Sequence, residues 1–251
     1  MTVPTIRRRC AVAAVLALGL LAPACGDDAV ADPVIDPDDG GVWAPELDPA
    51  DFVATIDNPY LPLLPGSRWV YEETDGGGDV EDIVVEVTDE TREILGITAT
   101  VVRDTVTQDG VLVEDTFDWF AQDRDGTVWY LGEDVSNYEE GRLVDHDGSF
   151  EAGVDGAQPG IVMLAAPEVG RAYRQELYRG EAEDLGEVLA RGGEVTVPAG
   201  SFTDVLVTRD WNPLEPEVVE EKTYAPAVGL VFEEKVAGET GRAVLVEHTP
   251  G

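Results

Sequence analysis

Residues 116–131, TFDWFAQDRDGTVWYL, decide the fold, because two short aromatic and β-branched runs stand on either side of a tight turn signal. Thr116 to Phe120 and Val128 to Leu131 are too short and too β-prone to be helices, and Asp125-Gly126 between them is chemistry that hairpin turns use. The same grammar extends outward in both directions. Ile83 to Val87, Thr98 to Val102, Val111 to Val113, Val205 to Val207 and Gly229 to Phe232 are further short apolar runs. Asp75-Gly76, Asp109-Gly110, Asp147-Gly148 and Ala199-Gly200 supply the turns. Strands spaced this closely pair with their chain neighbours, so the expectation is an all-β antiparallel meander with few helices.

A weak repeat organises this meander. Gly66 to Glu72 is echoed by Val169 to Gln175, Val101 to Thr105 by Val207 to Trp211, and Phe120-Ala121 with Gly126 to Val128 by Tyr224-Ala225 with Gly229 to Val231, at offsets near 103, 106 and 104. Such a period is too long for a solenoid. It predicts a duplicated β unit, about 66–133 and 169–236, folded as a sandwich or an open barrel. Gly126 and Gly229 are then expected in equivalent turns.

The N-terminus reads as an address. Arg7, Arg8 and Arg9 precede an apolar core from Ala11 to Leu21, and small residues lead to Cys25, the order of an export signal over residues 1–24. A stretch this short is under the roughly 20 residues a membrane-spanning helix needs. Cleavage before Cys25 leaves an N-terminal cysteine for acylation, so Cys25 is the expected lipid anchor. The other cysteine, Cys10, departs with the signal, leaving no partner for a disulfide. Residues 25–57, rich in Asp, Pro and Gly without a basic residue, are expected to be an unfolded tether, with Trp43 and Phe52 docking on the domain. The β domain is expected over 58–251.

Charge excludes some partners. Loss of three arginines takes the formal charge from −36 to −39, and all 52 acidic residues lie beyond the signal. Nucleic acid is therefore an improbable partner, and the membrane is reached through the lipid rather than by surface attraction.

Several segments are similar to those of a family of exported bacterial proteins: Asn58 to Leu63 with Trp69-Val70-Tyr71, DWFAQDRDGTVWYLGED at 118–134, EAGVDGAQPGIVM at 151–163, VPAGSF at 197–202 and YAPAVGLV at 224–231. The resemblance implies one intact domain in an extracytoplasmic setting and carries over no catalytic residue.

Sites must then be sought in the residues themselves. After Cys25 the chain has no further cysteine and only His146 and His248, and none of Ser67, Ser136, Ser149 or Ser201 sits in a nucleophile elbow. Asp118, Asp123, Asp125, Glu133 and Asp134 flank Trp119 and Trp129, as a glycosidase would need, yet a chain with 52 acids places carboxylates side by side without catalytic cause. Asp123 and Asp125 precede Gly126 as in a calcium loop, but Ala121 and Gly132 occupy the first and twelfth positions, where acids are required. The apolar run Ala157 to Pro167 lacks alternation and falls between the repeats, as a buried connector or a cavity wall. Trp69, Tyr71, Trp119 and Trp129 are expected to converge near Ile161 to Leu164 around a site for an apolar small molecule. The expected function is a monomeric, membrane-anchored, non-catalytic binding or envelope-associated module without a cofactor. The rivals are a carboxylate hydrolase acting on wall glycans and a calcium-binding surface domain.

Overall fold

A computed structural model describes residues 43 to 251, Asp75 excepted. The expected export signal, Cys25, the expected tether as far as residue 42 and Asp75 lie outside the described residues. A 3-10 turn at Pro49–Asp51, capped by the Asp48 carboxylate on the Ala50 N–H, precedes β1 (Phe52–Val53), β2 (Ile56–Asn58) and β3 (Leu61–Leu63). The long strands follow: β4 (Arg68–Thr74), β5 (Val80–Ile94), β6 (Ile97–Gln108), β7 (Val111–Asp123) and β8 (Val128–Glu139). Three short strands, β9 (Arg142–Asp145), β10 (Phe150–Glu151) and β11 (Gly160–Met163), all pair with β8. The second half comprises β12 (Ala172–Arg174), β13 (Leu185–Arg191), β14 (Glu194–Val197), β15 (Gly200–Thr203), β16 (Leu206–Trp211), β17 (Val219–Ala225), β18 (Gly229–Ala237) and β19 (Arg242–Thr249). Among the described residues no helix is long and apolar enough to cross a membrane.

The main sheet runs β8-β7-β6-β5-β4-β19-β18-β17-β16-β13-β12, antiparallel throughout, so the all-β meander read from the turn signals is the architecture. One non-local ladder, β4 on β19, joins the halves. The ends of the path approach each other without a ladder: Gln158 N–H donates to the Leu177 carbonyl at 2.9 Å in a single bridge. The sheet is therefore curled and open, not a closed barrel. Its interior holds side chains from both halves in one cluster, among them Trp69, Leu131, Tyr173, Leu185, Leu206, Val231 and Leu245.

The two halves share a strand order, β4-β5-β6-β7-β8 in one and β12-β13-β16-β17-β18 in the other. Register irregularities also correspond, falling between Asp118 and Phe120 on β7 and between Thr223 and Tyr224 on β17. Gly126 and Gly229 lead into β8 and β18 with the same φ of 101°, a conformation that a side chain would strain. The β14–β15 hairpin occupies the place of the distal β5–β6 hairpin, where Ile94 faces Ile97 as Val197 faces Gly200.

The folded part includes residues that the sequence reading assigns to a tether. Residues 43–58 belong to the folded part: Trp43 is buried, donates its indole N–H to the Pro159 carbonyl at 2.7 Å and stacks on Trp129. β1 pairs with the end of β7, and the Gln122 amide oxygen accepts from the backbone N–H groups of Asp57 (2.9 Å) and Asn58 (2.8 Å). Composition misled here because strands of two and three residues carry no period; tertiary pairing orders them.

Candidate functional site

The β2–β3 hairpin sits across the end of the sheet where the two equivalent turns come together. Asn58 donates through its side-chain amide to the Gly126 carbonyl (2.8 Å) and the Leu164 carbonyl (3.2 Å), while the Ala227 N–H donates to the Pro59 carbonyl (2.7 Å). Behind this hairpin lies a cavity of about 330 Å³. Leu61, Leu63, Trp69, Tyr71, Ile83, Val85, Val102, Phe120, Val162, Tyr224 and Leu230 give it apolar walls, and Glu73, Asp104, Asp118, Lys222 and Glu233 add charge. Trp69 and Tyr71 reach from β4 toward β18, donating to the Val228 carbonyl (2.7 Å) and the Leu230 carbonyl (2.9 Å). His248 stacks against the Trp69 ring, and burial lowers its pKa.

Of the residues expected to converge, Trp69 and Tyr71 line this cavity and the other two aromatics do not. Trp119 lies on the opposite face of β7, in a separate surface cleft with Val101 and Phe117, and Arg92 covers its ring at 3.9 Å. Trp129 packs on Trp43 and donates its indole N–H to the Asp123 carboxylate at 2.9 Å. The reason is alternation: Asp118 and Phe120 face the cavity, so Trp119, although buried among the core residues, faces away from it with Phe117. Ile161 and Leu164 are buried in the core, and Val162 between them is the connector residue that reaches the cavity.

The charged groups fall into two arrangements. Asp210 on β16 is fully engaged: one oxygen accepts from the Thr208 hydroxyl (2.9 Å), the other from the Gln175 amide (3.0 Å) and the Lys222 ammonium (3.1 Å). Burial opposes the charge on Lys222, but Asp210 and Glu233 outweigh it and hold the ammonium well above its ordinary pKa. Among the described residues Asp104 and Asp118 have no such cation. Asp118 accepts from the Tyr130 hydroxyl at 2.5 Å, and burial pushes its pKa up to about 7. Asp104 Oδ1 is shut off from solvent and makes no hydrogen bond, and burial, with the charge of Asp118 second, pushes this carboxyl up to about 8. Sequence reasoning passed over Asp104, Glu73 and Glu233, although each lies at period two from an apolar inward residue: Val102, Tyr71 and Val231.

The metal candidates serve local structure. Asp123 Oδ1 accepts from the N–H groups of Asp125 (3.0 Å), Gly126 (2.9 Å) and Thr127 (3.0 Å), and Oδ2 takes the Trp129 indole, so this carboxylate organises a turn. Asp125 is exposed on that turn. Among the described residues no group of three His, Cys, Asp or Glu could hold a metal ion. The acids around Trp119 and Trp129 do not face one cleft: Asp118 and its cross-strand partner Glu133 turn inward, Asp123 closes the turn, and Asp134 lies by Trp119 outside. Asp134, Ser136 and His146 do meet at the surface. All three contacts, from Val135 O (2.6 Å), Ser136 Oγ (3.5 Å) and Asp134 Oδ1 (3.9 Å), crowd the same Nδ1, whereas a triad needs its acid and its nucleophile on different nitrogens.

No protein-family model and no curated protein matches the chain. Two solved structures are similar in fold. One, described as an exported protein with a YmcC-like fold from Bacteroides fragilis NCTC 9343, has a TM-score of 0.46 and 15% identity over 76% of this chain and 98% of that one. The other, described as a lipoprotein from Parabacteroides distasonis ATCC 8503, has a TM-score of 0.42 and 17% identity over 76% of this chain and 99% of that one.

Proposed function

We propose that the chain is an exported lipoprotein, held to the membrane by acylated Cys25, whose β domain is a monomeric, non-catalytic binding module for an apolar small molecule. The observation that carries the binding reading is the cavity behind the β2–β3 hairpin: about 330 Å³, within the range of small-molecule sites, with mostly aromatic and aliphatic walls and five acidic or basic side chains among them. The anchor reading rests on Arg7 to Arg9, the short apolar core and the small residues before Cys25.

Two results are expected. Cys25→Ala releases the protein from the membrane fraction or leaves it unprocessed, because acyl chains are what hold such a chain to a bilayer; unchanged detergent partitioning and mass would overturn the anchor. A neutral apolar probe, decanol, quenches the tryptophan fluorescence of the parent, and the quench is largely lost in Trp69→Phe while Trp119→Phe keeps it. Equal quenching in both variants, or none in the parent, would overturn the cavity as the binding site.

A further inference from the structure

We propose that the cavity takes an apolar amine: an alkylammonium whose head lies between Asp104 and Asp118 and whose chain packs against Val102, Trp69 and Phe120. This deepens the binding reading above and rests on it. The argument comes from comparing the two halves of the sheet. In the second half Thr208 stands opposite Lys222 in the β16–β17 ladder, and Asp210, two residues further along β16, is the diagonal neighbour that receives the Lys222 ammonium at 3.1 Å. In the first half Val102 stands opposite Asp118 in the β6–β7 ladder, and Asp104 is the same diagonal neighbour. The aspartate recurs, but the lysine is replaced by a second carboxylate and the threonine by an apolar residue.

The first half thus has the acceptor of an ion pair without its cation. Asp104 Oδ1 is sheltered from water with no hydrogen-bond partner, and a buried carboxylate oxygen left so is costly. Asp104 is among the residues that line the cavity. Diagonal cross-strand positions are about 7–8 Å apart at Cα, a span that leaves space for an ammonium between two carboxylates. The other lining acids are served already: Lys222 lies 3.8 Å from Glu233, and Lys235 lies 4.0 Å from Glu73. The aromatic faces of Trp69, Tyr71 and Phe120 favour a cation over an anion or a neutral polar head. Burial and the neighbouring Asp118 make ionised Asp104 costly, and an incoming ammonium relieves that cost.

The test is calorimetric titration of the soluble chain from residue 26 with decylammonium, decanol and decanoate, each below its micelle concentration. Decylammonium is expected to bind the parent about tenfold or more tightly than decanol, as a buried charge-assisted contact would give, and decanoate most weakly. Asp104→Asn is expected to abolish the preference for ammonium while leaving decanol affinity unchanged. Attraction to the acidic surface cannot mimic this result, because the variant removes one charge among 52 acidic residues. A parent that binds decanol but shows no ammonium preference overturns the amine and leaves the cavity reading standing, as does an Asp104→Asn variant that retains the preference. A parent that binds none of the three overturns both. The comparison of three heads in the parent does not depend on any variant folding.

Discussion

Gly160→Ala is expected to lower the thermal unfolding midpoint by roughly 10 °C, the shift that about 3 kcal/mol produces in a domain of this size. Gly160 pairs with Tyr130 on one side and faces the end of β12 on the other. A Cβ at this position would stand 1.8 Å from the Gln175 carbonyl oxygen, 2.3 Å from its carbon and 3.0 Å from the Arg174 oxygen, all backbone atoms with no rotamer to yield. The obstacle is space alone, since Gly160 is not among the residues with positive φ. The two ends of the curled sheet must therefore separate, breaking the Gln158–Leu177 bridge and opening the core beside Met163 and Leu177. Gly193→Ala is the control: its φ of 86° is strained for alanine, but nothing lies within 4 Å, so only about 1 kcal/mol is at stake. Calorimetry that finds both variants equally stable would show that the seam does not hold the sheet closed.

Why the meander was legible and the interior was not follows from what alternation encodes. Asp109-Gly110, with φ of 51° and 75°, and Gly126 at 101° adopt the left-handed conformations their residue types suggest, so turns and strand order could be read from short-range signals. The echoes near 103 to 106 residues fall on strands of the same order and matching cross-strand register, although the strands of the second half are much shorter. Period two says which residues share a face, but not which face is inside. On β7 Asp118 and Phe120 line the cavity, while Trp119 is buried on the other face beside Phe117, under the guanidinium groups of Arg92 and Arg103. Fifty-two acids hid the few that face inward. What distinguishes Asp104 is lost partners rather than residue type, and that becomes visible only when β6 is laid beside β7 and beside its counterpart β16.

The inward carboxylates carry the second large effect. The unfolding midpoint is expected to fall by on the order of 10 °C between about pH 6.5 and pH 9, a loss of several kcal/mol. Four interior acids carry the loss, burial above all raising Asp104 to about 8, Asp118 to about 7, Glu133 to about 8 and Glu233 to about 7, and burial raises Glu176, Asp184 and Glu73 as well. The ordinary values are 3.8 for aspartate and 4.5 for glutamate, so the folded chain holds protons that the unfolded chain has released. Stability is then complete below pH about 4 and is lost as pH rises through the folded values. The groups facing Asp104 are Asp118, Glu114 and Asp115 on β7 and Tyr71 on β4, and no cation among them offsets its ionisation. Glu133 meets Asp118, Glu114 and Asp184 beside the Tyr130 hydroxyl, while Lys222 tempers Glu233 against Glu220, Glu73 and Asp210. The charges interact, so the four contributions do not add, and the net loss is smaller than their sum. His248 acts in the opposite sense: its lowered pKa costs stability only as pH falls below the ordinary 6.5, so the alkaline window isolates the carboxylates. Asp104→Asn keeps the side-chain volume and cannot ionise, and it should raise the midpoint at the alkaline end and flatten the slope. A midpoint that stays level or climbs with pH, or a slope unchanged in Asp104→Asn, would mean that water or a counter-ion already reaches this carboxylate, and the cavity would then have no unpaired charge for a ligand to meet.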